Sequence, residues 1–160
     1  MRLMQNFTWL FLLFPLLPFA AEPVSTDANR AIYVVSGEFA DVRDDVTDAI
    51  LERGMVITNV SKVGEMLERT GRDLGDSKRI YGDAEVLEFC NAVISRRALE
   101  ADPHSIVYCP YRIAVYSLVN APEKIYLAYP KLRAGAAGER EAALKAVENL
   151  LRNIIEGVVE

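Results

Sequence analysis

Cysteine and histidine are scarce in this 160-residue chain, which contains two cysteines and one histidine. Two cysteines are too few for a disulfide-rich scaffold, so the fold must be stabilised by a packed apolar core. A Ser-His-Asp triad would have to use His104, and there is no GxSxG turn to expose a serine. The sequence also lacks a P-loop, a GxGxxG fingerprint, and any CxxC or HxxxH pair. The common hydrolase, nucleotide-binding and zinc-site signatures are therefore absent.

Basic residues are in the minority. The chain has 18 Lys and Arg against 23 Asp and Glu, which gives a formal net charge of -5. A nucleic-acid-binding surface needs a basic stripe to meet the phosphates. We therefore expect no nucleic-acid partner.

Only the N-terminus carries a long hydrophobic run. Phe7 to Ala21 is about 15 residues long, shorter than the roughly 20 residues that a membrane-spanning helix needs. The run follows Arg2 and ends on Ala20 and Ala21, which is typical of a cleavable secretory signal over residues 1–21. We expect an exported protein in a bacterial periplasm, with an uncleaved N-terminal anchor as the alternative. No second run is long enough to span a membrane, so the mature protein is expected to be soluble and free of the membrane.

The remaining sequence predicts a flexible polar lead-in over residues 22–30 and a single domain over residues 31–158. Alternating apolar residues predict strands, and apolar residues at helical spacing predict helices. The predicted strands are Ala31–Phe39, Met55–Val60, Ala84–Phe89, Ser105–Cys109, Tyr111–Val119 and Lys124–Tyr129. The predicted helices are Val42–Arg53, Lys62–Leu74, Ala92–Ala101 and Glu139–Val158. Helices and strands are mixed without strict alternation, which favours an α+β fold over a doubly wound parallel sheet.

The segment from Glu85 to Tyr116 concentrates the chemically distinctive residues. It contains both cysteines, the histidine and an Asp-Pro turn. Cys90 ends a predicted strand just before a helix, and Cys109 lies 19 positions later at a second junction. Backbone amides at a helix start can lower the pKa of a neighbouring thiol. This segment is therefore the predicted functional site, with Cys90 as its candidate nucleophile.

Three interpretations of the two thiols remain open. A Cys90–Cys109 disulfide would close a loop of about 20 residues and stabilise the fold by about 3 kcal/mol. The thiols could instead be separate, buried and inert. A third interpretation is a redox or soft-metal site, in which Cys90, Cys109 and His104 would suit Cu(I) or zinc. An exposed loop position is the alternative for His104.

A small ligand is the other candidate occupant of this segment. Tyr108 and Tyr111 flank the Cys109-Pro110 corner, where rings with a polar tip could line a pocket. Arg112 could hold an anion, whereas Arg96 and Arg97 are expected to be surface charges. Ordinary sheet packing is the alternative role for the tyrosines. The predicted ligand site consists of Cys90, Asn91, Cys109, Tyr111 and Arg112.

The order and spacing of short motifs suggest a family. Cys90-Asn91-Ala92, Ala98-Leu99, Asp102-Pro103, Cys109 and Ile113-Ala114-Val115-Tyr116 resemble the family known as domain of unknown function 302, over roughly Val42 to Ile155. Two positions depart from its pattern, because Ala92 replaces the usual proline and Cys109 is followed, not preceded, by proline. The resemblance implies an α+β fold with a TATA-binding-protein-like sheet, helices packed on one face, and homodimers.

These observations leave three expectations for function and identify no cofactor. The first is an exported domain that binds a small ligand or a soft metal. The second is a thiol-based redox or sulfur-handling enzyme that uses Cys90 and Cys109. The third is a structural or interaction homodimer in which Leu151 and Ile155 of the last helix make the contact.

Overall fold

The computed structural model describes residues 23–76, 78–132 and 138–159. The predicted signal segment, residues 1–21, lies outside these ranges. The strands are β1 (Ser25–Thr26), β2 (Arg30–Ser36), β3 (Val56–Ser61), β4 (Tyr81–Cys90), β5 (Tyr111–Leu118) and β6 (Ala121–Pro130). The helices are α1 (Phe39–Leu51), α2 (Val63–Asp73), α3 (Ala92–Ala101) and α4 (Glu139–Val159), with a 3-10 segment at Pro103–Tyr108.

The six strands form one sheet in the order β1-β2-β6-β5-β4-β3. Every neighbouring pair is antiparallel. In the centre, Phe89 of β4 lies opposite Tyr111 of β5, and Tyr116 of β5 lies opposite Tyr126 of β6. The predicted strands Tyr111–Val119 and Lys124–Tyr129 correspond to β5 and β6, which pair as a hairpin joined by a short turn.

The core lies between one face of the sheet and the helices α1 and α4. Strand side chains alternate between the two faces, so every second residue of β2, β4, β5 and β6 points inward. Both helices bury apolar residues three or four positions apart, which lie on one helix face. The inward residues include Tyr33, Leu87, Phe89, Ile113, Val115, Ile125 and Leu127 from the sheet, and Val46, Ile50, Val147, Leu151, Ile154 and Ile155 from the helices. The predicted single α+β domain is confirmed.

The opposite face of the sheet, which we call the outer face, is also apolar at its centre. Two rows of directly opposed residues cross the four strands β2, β6, β5 and β4 without a charged side chain. The rows are Val34, Tyr126, Tyr116 and Ala84, and Ile32, Ala128, Ala114 and Val86. All but Ala84 are partly exposed, and the rings of Tyr116 and Tyr126 stack with centroids 5.2 Å apart. An antiparallel sheet that faces water normally alternates apolar and polar residues.

The predicted strand Ser105–Cys109 is wrong, because the chain forms a 3-10 segment there. Asp102 starts this turn, since its carboxylate accepts hydrogen bonds from the His104 amide at 3.0 Å and the Ser105 hydroxyl at 3.3 Å. Pro103 fits the first position because it has no amide hydrogen to leave unpaired. Ile106 and Val107, whose β-branched side chains indicated a strand, are 63% and 77% exposed.

The lead-in differs from the sequence-based expectation at its centre. Ser25 and Thr26 pair with Ile32 and Ala31 of β2 and add a short edge strand. The turn between these strands is held by Asp27, whose carboxylate accepts hydrogen bonds from two following backbone amides. A two-residue strand is too short to show the alternation that identifies strands in a sequence.

Within the described ranges, none of the helices combines the length and the apolar character needed to cross a bilayer.

Candidate functional site

The fold brings Cys90 and Cys109 together. Cys90 is the last residue of β4, and the register of β4 with β5 places it beside the Cys109-Pro110 corner, next to the Phe89–Tyr111 pair. Cys109 follows the 3-10 segment and packs against the core. Both cysteines are partly buried free thiols. They are hydrogen-bonded to each other, so the two junctions, whose separation the sequence left open, lie close together in the structure.

The surroundings of Cys90 raise the pKa of its thiol above the ordinary value. Burial is the largest cause, followed by the nearby Cys109 and the hydrogen bond between the two thiols, and the Tyr111 backbone amide opposes them. The expectation that the start of α3 would lower this pKa is wrong in direction. The Asn91 side chain already caps the helix by accepting from the Ile94 amide at 3.0 Å, and burial disfavours the thiolate.

Tyr111 extends the thiol pair into a larger polar cluster. This residue is only 3% exposed, and its phenol oxygen accepts a hydrogen bond from the Ser95 hydroxyl at 3.0 Å. Burial raises the pKa of Tyr111 to about 12, with a smaller increase from Cys109, while the Ser95 hydrogen bond lowers it. Hydrogen bonds with Cys109 contribute to the raised pKa of both Cys90 and Tyr111, so Cys109 links the other thiol to the phenol. We call Cys90, Cys109, Tyr111 and Ser95 the thiol–phenol cluster.

Ser95 is the member of this cluster that the sequence interpretation missed. It lies on α3 one turn after the capping residue Asn91, so helical spacing could have placed it on the same side as the strand end. Asn91 itself is a predicted ligand residue, and the structure uses its side chain oxygen to cap α3.

The structure does not bring His104 to the two thiols. His104 is exposed at the start of the 3-10 segment, where its amide is bonded to Asp102. In the part of the chain that the structure describes, no three His, Cys, Asp or Glu side chains are grouped so that they could hold a metal ion. The predicted set of Cys90, Cys109 and His104 is therefore not assembled.

A cleft of about 150 Å³ opens beside Cys109 at the end of the sheet. We call it the Cys109 cleft. Its walls come from the end of the 3-10 segment, the start of β5 and the end of β6, and Leu151 of α4 lines it from the core side. The lining residues are Glu88, Val107, Tyr108, Cys109, Pro110, Tyr111, Arg112, Pro130, Lys131, Leu132 and Leu151. Three of the five predicted ligand residues, Cys109, Tyr111 and Arg112, therefore line one cleft.

The cleft is locally positive in an acidic protein. It is lined by Arg112, Lys131 and one carboxylate, Glu88, which also contacts the Asn59 amide at 3.4 Å. Among the described residues, no ion pair is formed by Arg112 or Lys131. Lys131 was not foreseen, because it lies beyond the end of the predicted strand Lys124–Tyr129, where the sequence sets no register. Arg96, by contrast, is exposed and bonded to Glu100 at 2.8 Å, as expected of a surface charge.

A larger groove of about 470 Å³ lies between α3 and α4. Its walls are mostly alanines with Ile94, and its charged residues are Arg97, Glu100 and Glu139. It contains none of the predicted ligand residues. The groove is larger than the Cys109 cleft, but it has no thiol and it balances its one cation with two carboxylates.

Comparisons with known proteins support one family. Residues 32–158 match the family model described as Domain of unknown function DUF302. Among solved structures, the fold is similar to the "uncharacterized conserved protein DUF302 from Bacillus stearothermophilus", with a TM-score of 0.68 and 14% identity over 84% of this chain and 100% of that chain. No functionally curated protein is similar enough to count as a match. The structural likeness concerns the fold alone.

Proposed function

We propose that this chain, which belongs to the family described as Domain of unknown function DUF302, binds a small anion in the Cys109 cleft. The observation that carries the proposal is the pair of cations, Arg112 and Lys131, at a cleft that also presents a thiol. The hydrophobic run Phe7–Ala21 supports a site of action outside the cytoplasm, in a bacterial periplasm.

The volume of the cleft limits the size of the ligand. Each water molecule in the liquid occupies about 30 Å³, so the cleft holds roughly five waters. Sites for drug-sized ligands begin at about 300 Å³. A short carboxylate or an inorganic oxyanion fits this volume, whereas a nucleotide is too large.

The side chains around the cleft suit an oxyanion. A guanidinium presents a planar fork that can bind two oxygens of a carboxylate or oxyanion at once, and an ammonium adds a compact charge. Arg112 and Lys131 would supply these groups, and the Cys109 thiol would add a weak donor. The single carboxylate of Glu88 leaves the balance positive, so a dianion is expected to bind more tightly than a monoanion.

Titration calorimetry with sulfate and with acetate tests this proposal. We expect sulfate to bind, and we expect Arg112→Gln to weaken it about tenfold or more, because hydrogen bonds to charged groups are worth about 1.5 to 3 kcal/mol. Lys131→Gln should weaken it as well. Arg96→Gln, which removes an equal charge from the exposed side of α3, is the matched control. An equal loss in Arg96→Gln and Arg112→Gln would mean that only the net charge matters.

The thiol-enzyme alternative receives less support. A nucleophilic cysteine reacts as its thiolate, and reactive cysteines have lowered pKa values. Burial and Cys109 shift the pKa of Cys90 in the opposite direction. Cys90 is therefore expected to stay protonated at neutral pH, so it should react more slowly than the activated thiol that a catalytic nucleophile requires.

A homodimer is a second candidate function, through a different surface from the one the sequence suggested. Leu151 and Ile155 are 1% and 0% exposed, so these residues of α4 are core residues and cannot meet a partner. The outer face offers a better surface, because its two central rows are apolar, partly exposed and free of charge.

The size of the outer face supports a second copy of this chain as the partner. Six strands about 4.8 Å apart, which range from two to ten residues and average about seven at 3.3 Å per residue, cover roughly 650 Å² in projection. A standard interface buries about 800 Å² per partner, which a corrugated face of this size approaches. A twofold axis through the centre would place the tyrosine rows of two copies against each other.

Sedimentation velocity tests the dimer. Tyr126→Lys places a charge at the centre of the outer face and should give monomers that remain folded. Asp48→Lys, on the exposed side of α1, introduces the same residue away from that face and should leave the dimer intact. A monomeric wild-type protein at micromolar concentration would sink this proposal.

A further inference from the structure

We propose that Cys90 and Cys109 are a reversible oxidation site, and that their disulfide weakens anion binding in the Cys109 cleft. The effect on binding rests on the proposed function, whereas the oxidation itself does not. The relevant oxidant is a small disulfide such as glutathione disulfide or cystine, which is compatible with a compartment where disulfides persist.

The first support is the geometry of the two thiols. Cys90 ends β4 and Cys109 lies two residues before β5. The register that pairs Phe89 with Tyr111 continues to place Cys90 opposite Pro110, the residue next to Cys109. Opposed residues of antiparallel strands have Cα atoms about 4.5 to 5.5 Å apart, and one further step of about 3.3 Å along the strand puts the Cα atoms of Cys109 and Cys90 roughly 6 Å apart. A disulfide spans Cα atoms about 4.4 to 6.8 Å apart, so this offset is compatible with one. The thiols are already hydrogen-bonded to each other, so only a small movement of the Cys109 corner is needed to join them.

The second support is that the two sulfurs differ in their access. Cys109 lines the cleft, whereas Cys90 does not. A disulfide that approaches the open side of the cleft therefore reaches Cys109 first, and only its reacting sulfur needs to fit beside Cys109. Cys90 lies behind Cys109 as the resolving thiol.

The exchange balances in two steps. The Cys109 sulfur, as its thiolate, attacks one sulfur of the oxidant, whose disulfide bond breaks and releases one small thiolate that takes up the proton. Cys90 then loses its proton and attacks the Cys109 sulfur of the mixed disulfide, releasing the second small thiolate, which takes up that proton. The two protein thiols are oxidised to one disulfide, and the small disulfide is reduced to two thiols.

The consequence for the cleft follows from what Cys109 contacts. Bonding to Cys90 draws the Cys109 sulfur toward β4, away from the cleft wall that it now forms. The disulfide also removes the Cys109 hydrogen, so a bound anion loses this hydrogen-bond donor. In addition, it changes the sulfur that is hydrogen-bonded to the Tyr111 hydroxyl. The reduced protein should therefore be the form that binds the anion more tightly.

The experiment compares the full chain, as purified, in two states: reduced with a phosphine and oxidised with excess glutathione disulfide. Intact mass and peptide mapping should show a loss of two hydrogens and a Cys90–Cys109 bond. Sulfate should then bind about five-fold more weakly to the oxidised protein than to the reduced protein, because the loss of one neutral hydrogen bond has about this effect on affinity. Cys90→Ser should stop at a glutathione adduct on Cys109, which establishes the order of the steps.

The possible outcomes separate the two proposals. If both thiols remain titratable in excess glutathione disulfide, the oxidation site is refuted, even where sulfate binds the reduced protein well. If the disulfide forms but the sulfate affinity is unchanged, the control of binding is refuted. If sulfate binds neither form, the proposed function fails, while the peptide map still decides the oxidation site.

Discussion

Replacing Leu151 with alanine tests whether α4 is a core helix or an interface helix. Leu151 is 1% exposed and packs within the main core, and it also borders the inner end of the Cys109 cleft. Removing a buried leucine side chain costs roughly 2 to 5 kcal/mol, through lost burial and the cavity left behind. We expect about 3 kcal/mol for Leu151→Ala, because the bordering cleft lets the walls relax or water enter. Domains are commonly stable by only about 5 to 15 kcal/mol, so this loss is large.

Urea unfolding followed by circular dichroism measures the effect, at one fixed protein concentration because dimerisation would add concentration-dependent stability. Leu150→Ala is the matched control, since Leu150 is the neighbouring leucine and is only partly buried. It should lose less than half as much stability as Leu151→Ala. Where Leu151→Ala remains folded, its sedimentation coefficient should equal that of the wild type. A change in association with an unchanged free energy of unfolding would show that α4 is an interface helix and refute this reasoning.

Three further predictions address the elements around the site. Asn91→Ala should lower the free energy of unfolding by about 1 kcal/mol in urea, since it removes the cap of α3, and an unchanged midpoint would argue against that role. Gly64→Ala would place a Cβ 3.0 Å from the Ala84 backbone nitrogen, so we expect a destabilisation of about 1 to 3 kcal/mol in the same assay, and a more stable variant would contradict the close approach of α2 to β4. The pKa of Tyr111 rises from 10.0 to about 12 on folding, so the folded state favours the neutral phenol. The stability that this preference contributes is present below pH 10 and should be lost as the pH increases from 10 to about 12. Tyr111→Phe should have a shallower alkaline loss of stability, and a loss equal to that of the wild type would refute the assignment.

Local signals explain the parts of the fold that the sequence predicted well. Helix α3 was predicted with the bounds Ala92–Ala101 because Asn91 caps its start and Asp102-Pro103 ends it. The 3-10 segment was mistaken for a strand because Ile106 and Val107 favour β structure. The turn is set instead by the Asp102 carboxylate, which accepts a hydrogen bond from the His104 backbone amide.

The candidate site could be predicted only for residues that lie at the ends of predicted strands and helices. The two cysteines lie at junctions that neighbouring strands bring together, so their proximity could be anticipated. The place of Lys131 could not be anticipated, because this residue lies beyond the end of the last predicted strand. The direction of the Cys90 pKa shift was also beyond the sequence, since it depends on burial outweighing the backbone amide that opposes it.

Anomalous diffraction from crystals soaked in selenate tests the central claim most directly, because selenate is an oxyanion like sulfate and its selenium can be located without a model of the ligand. We predict a selenium peak in the Cys109 cleft. Its position should place the selenate oxygens within hydrogen-bonding distance of both Arg112 and Lys131. The peak should be lost in crystals of Arg112→Gln and kept in crystals of Arg96→Gln. Selenium bound elsewhere on the surface, with none in the cleft, would contradict the account.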